Sequence, residues 1–255
     1  MVLLLLSWLT GADFLSLLGP VVEQSARVEQ GGDRPVATSP EEERLVDFVD
    51  AVMRDVQVTW TDRLGARYEP TTLVLFRDAL QSACGFAQAA TGPFYCPRDR
   101  KAYIDLGFFD ELHRRFGAPG DFAQAYVLAH EIGHHVQTVT GIESQVRQAQ
   151  AGRPDQANAL SVRLELQADC FAGVWGHDAS RPGRAMDGRV ELEEGDVEEG
   201  LNAAAAIGDD RLQRMGSGRV APERFTHGSS AQRVQWFRRG LESGSPDACD
   251  TFGGS

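Results

Sequence analysis

Lysine is almost missing from this chain of 255 residues. Lys101 is the only one, and arginine supplies the rest of the 25 basic side chains, set against 37 acidic ones. The net charge of −12 and a pI near 4.9 offer no basic field to a phosphate backbone, so nucleic acid is not an expected partner. None of the four cysteines (Cys84, Cys96, Cys170, Cys249) forms a CxxC pair, which argues against a cysteine-bound zinc site. No internal repeat is present. Long apolar runs are also scarce. The exception is residues 2–18, VLLLLSWLTGADFLSLL, interrupted by Asp13. That run falls short of the ~20 residues of a membrane span and has neither a basic flank nor a clear cleavage site. A buried helix is one reading. The expectation adopted is a truncated or marginal membrane-anchor or signal-like segment over residues 1–18. It would place the chain at the cell membrane as a single-pass protein with its main domain outside the cytoplasm, or alternatively as a secreted protein. Residues 19–40 are polar and rich in Gly, Pro, Ser and Gln, and read as a linker. Residues 41–255 then form the folded domain.

The stretch that organises that domain is residues 121–140, DFAQAYVLAHEIGHHVQTVT. Phe122, Ala125, Tyr126, Ala129, Ile132 and Val136 recur at helical spacing. Asp121 with Gln124 three residues on suggests a capping box, and Gly141 a stop. On such a helix His130 and His134 lie one turn apart on one face, where two imidazoles can close on a single metal ion. Glu131 sits about 100° further round, within reach of a water but not as a ligand. That is the geometry of metal-assisted hydrolysis. With 6 His in the chain, a chance HExxH arises in roughly one such sequence in a hundred.

The pentad still needs a third ligand. A third histidine on an extended motif would require Gly at 137 and His at 140, but the chain has Gln137 and Thr140. The alternative is a glutamate on a following helix, and residues 157–176 contain Glu165-Leu166-Gln167-Ala168-Asp169. Glu165 and Asp169 share a face at i and i+4. Glu165 would complete a His-His-Glu zinc site, and Asp169 would accept a hydrogen bond from the far nitrogen of a ligand histidine. The flank QADCFAGVW is small and apolar, unlike a solvated surface.

Elsewhere, Leu45, Phe48, Val49, Val52, Met53 and Val56 mark a packing helix after Pro40. Residues 71–77 and 101–106 read as strands, with Ala102–Leu106 the expected sheet edge beside the site helix. A short helix is expected over 110–116. A single helix is expected from Asp196 through DVEEGLNAAAAIGDDRLQRMG, with Glu199 in a capping pattern, and another is capped by Ser229 with Gln232. Four cysteines allow three pairings. Cys84–Cys96 and Cys170–Cys249 in an oxidising compartment is the pairing expected, against four reduced thiols. Among the remaining histidines, His135 points away from the ligand pair, and His113 and His177 are expected at the surface. His227, in the turn FTHGSS, is a candidate oxyanion donor, with Tyr95, Tyr103 and Tyr126 as rivals.

These blocks together resemble the bacterial neutral zinc metallopeptidase family. The resemblance covers about residues 40–255. It is carried by SACGFAQAATGPFYCPRDRKAYIDLGFFDEL, GAPGDFAQAYVLAHEIGHHVQ, LELQADCFAGVW, FTHGSSAQRVQWFRRGL and the terminal CDTF. It implies an α+β, zincin-like fold, mostly helical, with a small sheet beside the active-site helix. It also implies one Zn2+ on His130 and His134, Glu131 as general base, and a membrane-anchored domain outside the cytoplasm. The expected activity is a zinc endopeptidase acting on peptide or protein substrates. The alternatives are a non-catalytic zinc-stapled binding module and a zinc amide hydrolase acting on cell-wall peptides.

Overall fold

The apolar stripe from Leu45 to Val56 gives α1, Pro40–Leu64, which buries Val49, Val52, Met53, Val56 and Trp60. The computed structural model describes residues 39–88, 92–114 and 120–253. The expected segment 1–18 and nearly all of the linker 19–40 lie outside these residues, as does the His113 side chain. Among the described residues no helix is long and apolar enough to cross a membrane. The single-pass anchor expected above is therefore unsupported, and that placement is withdrawn.

Strands β1 (Thr72–Phe76), β2 (Ala79–Ser82), β3 (Gly85–Gln88), β4 (Phe94–Cys96) and β5 (Lys101–Asp105) follow. β2 and β3 form a hairpin, and the other three make a sheet of order β1-β5-β4. β1 runs parallel to β5, with Thr72 opposite Lys101, and β4 runs antiparallel, with Tyr95 opposite Ala102. The strand expected at the edge is therefore the central one, and the edge beside the site is β4. Three residues between Pro93 and Pro97 carry too little pattern to read as a strand. β4 is held from outside the strand itself, by the Cys84–Cys96 disulfide to the hairpin turn and by Tyr95 bonding to His135.

The helices are α2 (Phe108–Arg114), α3 (Asp121–Val139), α4 (Ile142–Gly152), α5 (Ala157–Ala179), α6 (Asp196–Ala206), α7 (Asp209–Ser217) and α8 (Ser230–Ser243). The architecture is thus α+β and mostly helical, around a core that includes Trp60, Tyr126, Leu128, Ile132, Phe171, Trp175 and Phe237. α5 lies backbone to backbone on α8: a Cβ at Gly173 would come within 2.1 Å of the Phe237 carbonyl oxygen, and one at Gly240 within 1.9 Å of that of Cys170. The second disulfide, Cys170–Cys249, ties α5 to the C-terminal tail.

Several helix ends differ from the sequence reading. Asp121 is the first residue of α3 rather than its cap. Gly120 takes that place at φ 116°, with no side-chain cap bond, and the Glu199 carboxylate crowds it so closely that a Cβ there would lie 1.9 Å away. Glu199 accepts the Phe122 N–H, so a carboxylate from α6 does the work expected of Asp121. Likewise α6 is preceded by Gly195 without a side-chain cap. The single helix expected from Asp196 breaks into α6 and α7 at Gly208, against which Ser230 is packed. The capping box of Ser229 with Gln232 is present as expected. His177, expected in a surface loop, lies in the last turn of α5 and donates through Nδ1 to the Leu241 carbonyl at 2.8 Å.

Candidate active site

Site construction begins where α3 crosses α5. Gly133 sits between the two histidines of the pentad, and a Cβ there would come within 2.9 Å of the Ala168 carbonyl oxygen. The missing side chain lets the helices approach, which sets His130 and His134 opposite Glu165 and Asp169. His130 Nε2 lies 3.2 Å from Glu165 Oε2, and His134 Nε2 lies 3.5 Å from Glu165 Oε1. The donor atoms of His130, His134 and Glu165 all fall within 4.8 Å of one another. Zinc–ligand bonds of about 2.0–2.1 Å in a tetrahedron place donors ~3.3 Å apart, so the donor set and its spacing both fit a zinc ion with one position left over.

The far nitrogens of the two imidazoles are held differently. His130 Nδ1 donates to Asp169 Oδ1 at 2.8 Å. Asp169 is fully buried and receives Tyr126 Oη at 2.5 Å and Arg233 Nε and Nη2 at 2.9 and 2.8 Å. His134 Nδ1 faces Gln137 Oε1 at 2.9 Å. Both rings therefore turn Nε2 toward Glu165.

Burial alone would push the Glu165 carboxyl up, but His134 and His130 beside it hold it well below the usual carboxylate range. Burial likewise opposes ionisation of Asp169, and Arg233, aided by His130, holds that group low. Burial disfavours the charged His130 ring, yet Asp169 and Glu165 raise it to about 9. An entering cation would displace protons from such a cluster. Glu131 is buried too, and desolvation raises its carboxyl against the pull of His130 and His134. It lines the cleft with the three converging residues without contributing to their cluster. The cleft holds about 780 Å³ and is bordered by Phe94 and Tyr95 of β4 on one side and by Glu143, Arg147 and Leu164 on another.

His227 also lines this cleft. Its turn is gathered by Asp209, whose Oδ2 accepts the N–H groups of Thr226, His227 and Gly228 at 2.7, 2.7 and 3.0 Å. His227 Nδ1 donates to Asp209 Oδ1 at 3.2 Å, and that bond raises the imidazole. The rival tyrosines have their protons committed elsewhere. Tyr126 donates to Asp169 and Tyr103 to Asp99. Tyr95 donates to His135 Nδ1, because His135 Nε2 must itself donate to the Glu69 carbonyl at 2.6 Å. His135 is accordingly a buried structural residue, away from the cluster as expected.

A comparison with known families matches residues 1–252 to one described as "Putative neutral zinc metallopeptidase". The chain belongs to this family. It is 50% identical over 221 residues to the Escherichia coli (strain K12) protein named "Uncharacterized protein YpfJ", an alignment spanning 85% of this chain and 75% of that one. It is 44% identical over 208 residues to the Mycobacterium bovis protein named "Uncharacterized protein Mb2605", spanning 80% and 69% respectively. No solved structure matches. Four partners of the candidate site went unread in the sequence: Arg233, Gln137, Gln167 and Asp209. Arg233 carried a signal, since it shares a helical face with Phe237 and Gly240, and an arginine on an apolar face implies a buried carboxylate.

Proposed function

We propose that this family member is a zinc-dependent endopeptidase of zincin-like arrangement that hydrolyses peptide bonds in peptide or protein substrates. The observation that carries the proposal is the convergence of His130, His134 and Glu165 beside a buried, unligated Glu131 in an open cleft. Zinc held by those three residues would acidify a bound water and polarise the scissile carbonyl. Glu131 takes the proton of the attacking water and delivers it to the leaving amine; its raised affinity for protons suits both steps. Asp169 fixes the tautomer of His130. His227, whose ring the Asp209 hydrogen bond raises, supplies the developing oxyanion with its Nε2–H as the doubly protonated imidazolium. The β4 edge accepts the substrate as an added strand.

A purely structural zinc site has no use for a buried base at position 131 and usually fills all four positions with protein. Both points favour the enzyme over a binding module. The test pairs metal analysis with casein hydrolysis for the chain and its Glu131→Gln variant. One zinc in each, with chelator-sensitive cleavage by the parent alone, is expected. Equal turnover by the variant would remove Glu131 as the base, and a parent without zinc would overturn the site.

A further inference from the structure

Among the described residues, the partner of His134 on the side remote from Glu165 is an amide rather than an ionisable group. Gln137 Oε1 lies 2.9 Å from His134 Nδ1. The same amide donates through Nε2 to the Leu164 carbonyl at 2.7 Å and to Gln167 Oε1 at 3.1 Å. Gln167 in turn donates through Nε2 to the Cys249 carbonyl at 3.0 Å. Gln137 is 1% exposed, Gln167 4% and Cys249 0%, so water does not compete for these bonds. A backbone carbonyl can only accept. The Cys249 carbonyl therefore fixes the Gln167 amide with its oxygen toward Gln137. The Leu164 carbonyl and that oxygen together fix the Gln137 amide with its oxygen toward His134. An oxygen there requires a proton on Nδ1, so the neutral, metal-binding form of the ring has Nε2 bare on the Glu165 side. The tail that supplies the terminal carbonyl is pinned to α5 by the Cys170–Cys249 disulfide and by Thr251 Oγ1 donating to the Arg163 carbonyl at 2.8 Å.

We propose that Gln137 is a positioning residue for His134, and that Gln167 and the disulfide-held Cys249 carbonyl polarise it, so that the C-terminal tail sets the metal affinity of the site. This rests on the zinc reading above. Tail and metal are linked without any contact between them, through two amides whose orientation cannot reverse.

Zinc dissociation constants by chelator competition test the relay, with folding checked by circular dichroism. Gln137→Leu removes the acceptor and should bind zinc about 10–100-fold more weakly than the parent, as the loss of an outer-shell partner does. Gln167→Leu, which touches no proposed ligand, should lie between the parent and Gln137→Leu. The paired Cys170→Ser, Cys249→Ser variant should weaken binding, while the paired Cys84→Ser, Cys96→Ser variant should not. Parental affinity in Gln137→Leu, or in Gln167→Leu and the paired Cys170→Ser, Cys249→Ser variant alike, would overturn this inference while leaving the zinc reading intact. A parent that binds no zinc overturns both.

Discussion

The two histidines of the pentad sit one turn apart on α3, yet their supports have opposite character. His130 is backed by charge: Asp169, wholly buried, shared with Tyr126 and clasped by Arg233 through two bonds. His134 is backed by dipoles: Gln137, Gln167 and the carbonyls of Leu164 and Cys249. Both flanks leave Nε2 facing Glu165, so a carboxylate is not essential to the task. The difference lies in what each flank depends on. A buried ion pair costs desolvation and holds only while both partners are present and charged. A neutral amide chain costs less but depends on correct orientation, which here comes from backbone carbonyls. The site therefore has one support sensitive to charge and one sensitive to the fold of the tail.

Glu165 is common to both flanks, so its loss should have the largest effect. Glu165→Ala should lose most of its zinc and its hydrolytic activity together, read by metal analysis of the purified chain; unchanged zinc content would remove Glu165 from the site. Removing Asp169 next separates the flanks. Asp169→Leu leaves Arg233 buried without its carboxylate, and stability to urea should fall by about 3–5 kcal/mol. Gln137→Leu deletes a neutral partner and should cost about 1–3 kcal/mol; equal losses from the two variants would erase the distinction drawn here. His227→Ala leaves both flanks intact and should lower kcat about 10²–10³-fold with zinc retained. Parental kcat in that variant would return the oxyanion to another donor.

Acid gives the smallest and most selective effect. The folded Asp169 carboxyl titrates below its ordinary value. Its contribution to stability is therefore complete above the usual aspartate range, near 3.9, and disappears as pH falls through the lower folded value. Asp209 behaves in the same sense. His130, raised to about 9, contributes fully below about 6.5 and loses its contribution as pH rises through that higher value. With zinc chelated, urea midpoints should thus be highest between these limits and decline on either side. The amides of the other flank do not titrate themselves, so the decrement caused by Gln137→Leu should vary with pH only where His134, raised by Glu165 against burial, changes charge. A decrement that instead fell in acid together with the Asp169 contribution would show that the two flanks are coupled.

Much of this was legible along the chain because it depends on short spacings. HExxH and ExxxD are one-turn repeats, and one turn of helix places two side chains together whatever surrounds it. The Ser229–Gln232 box is local for the same reason, and so is the Cys84–Cys96 loop, whereas Cys170–Cys249, 79 residues apart, was one of three pairings the sequence left open. What escaped depends on neighbours distant in sequence. Glu199 displaced Asp121 as the acceptor at the start of α3 because α6 folds against it. β4 became the edge beside the cleft although three residues carry no strand pattern. The membrane placement expected from residues 1–18 found no support among the described residues.

The sequence by itself nominated the residues of the cluster, because helical periodicity puts His130 with His134, and Glu165 with Asp169, on one face of their own helix. The tertiary structure alone decided what stands behind them. Arg233 comes from α8, 64 residues beyond Asp169, and the Cys249 carbonyl from a tail 82 residues beyond Gln167. Such partners meet because glycines at 133, 173 and 240 let helix backbones touch, and close contact between helices is a property of the packed chain that no local spacing encodes.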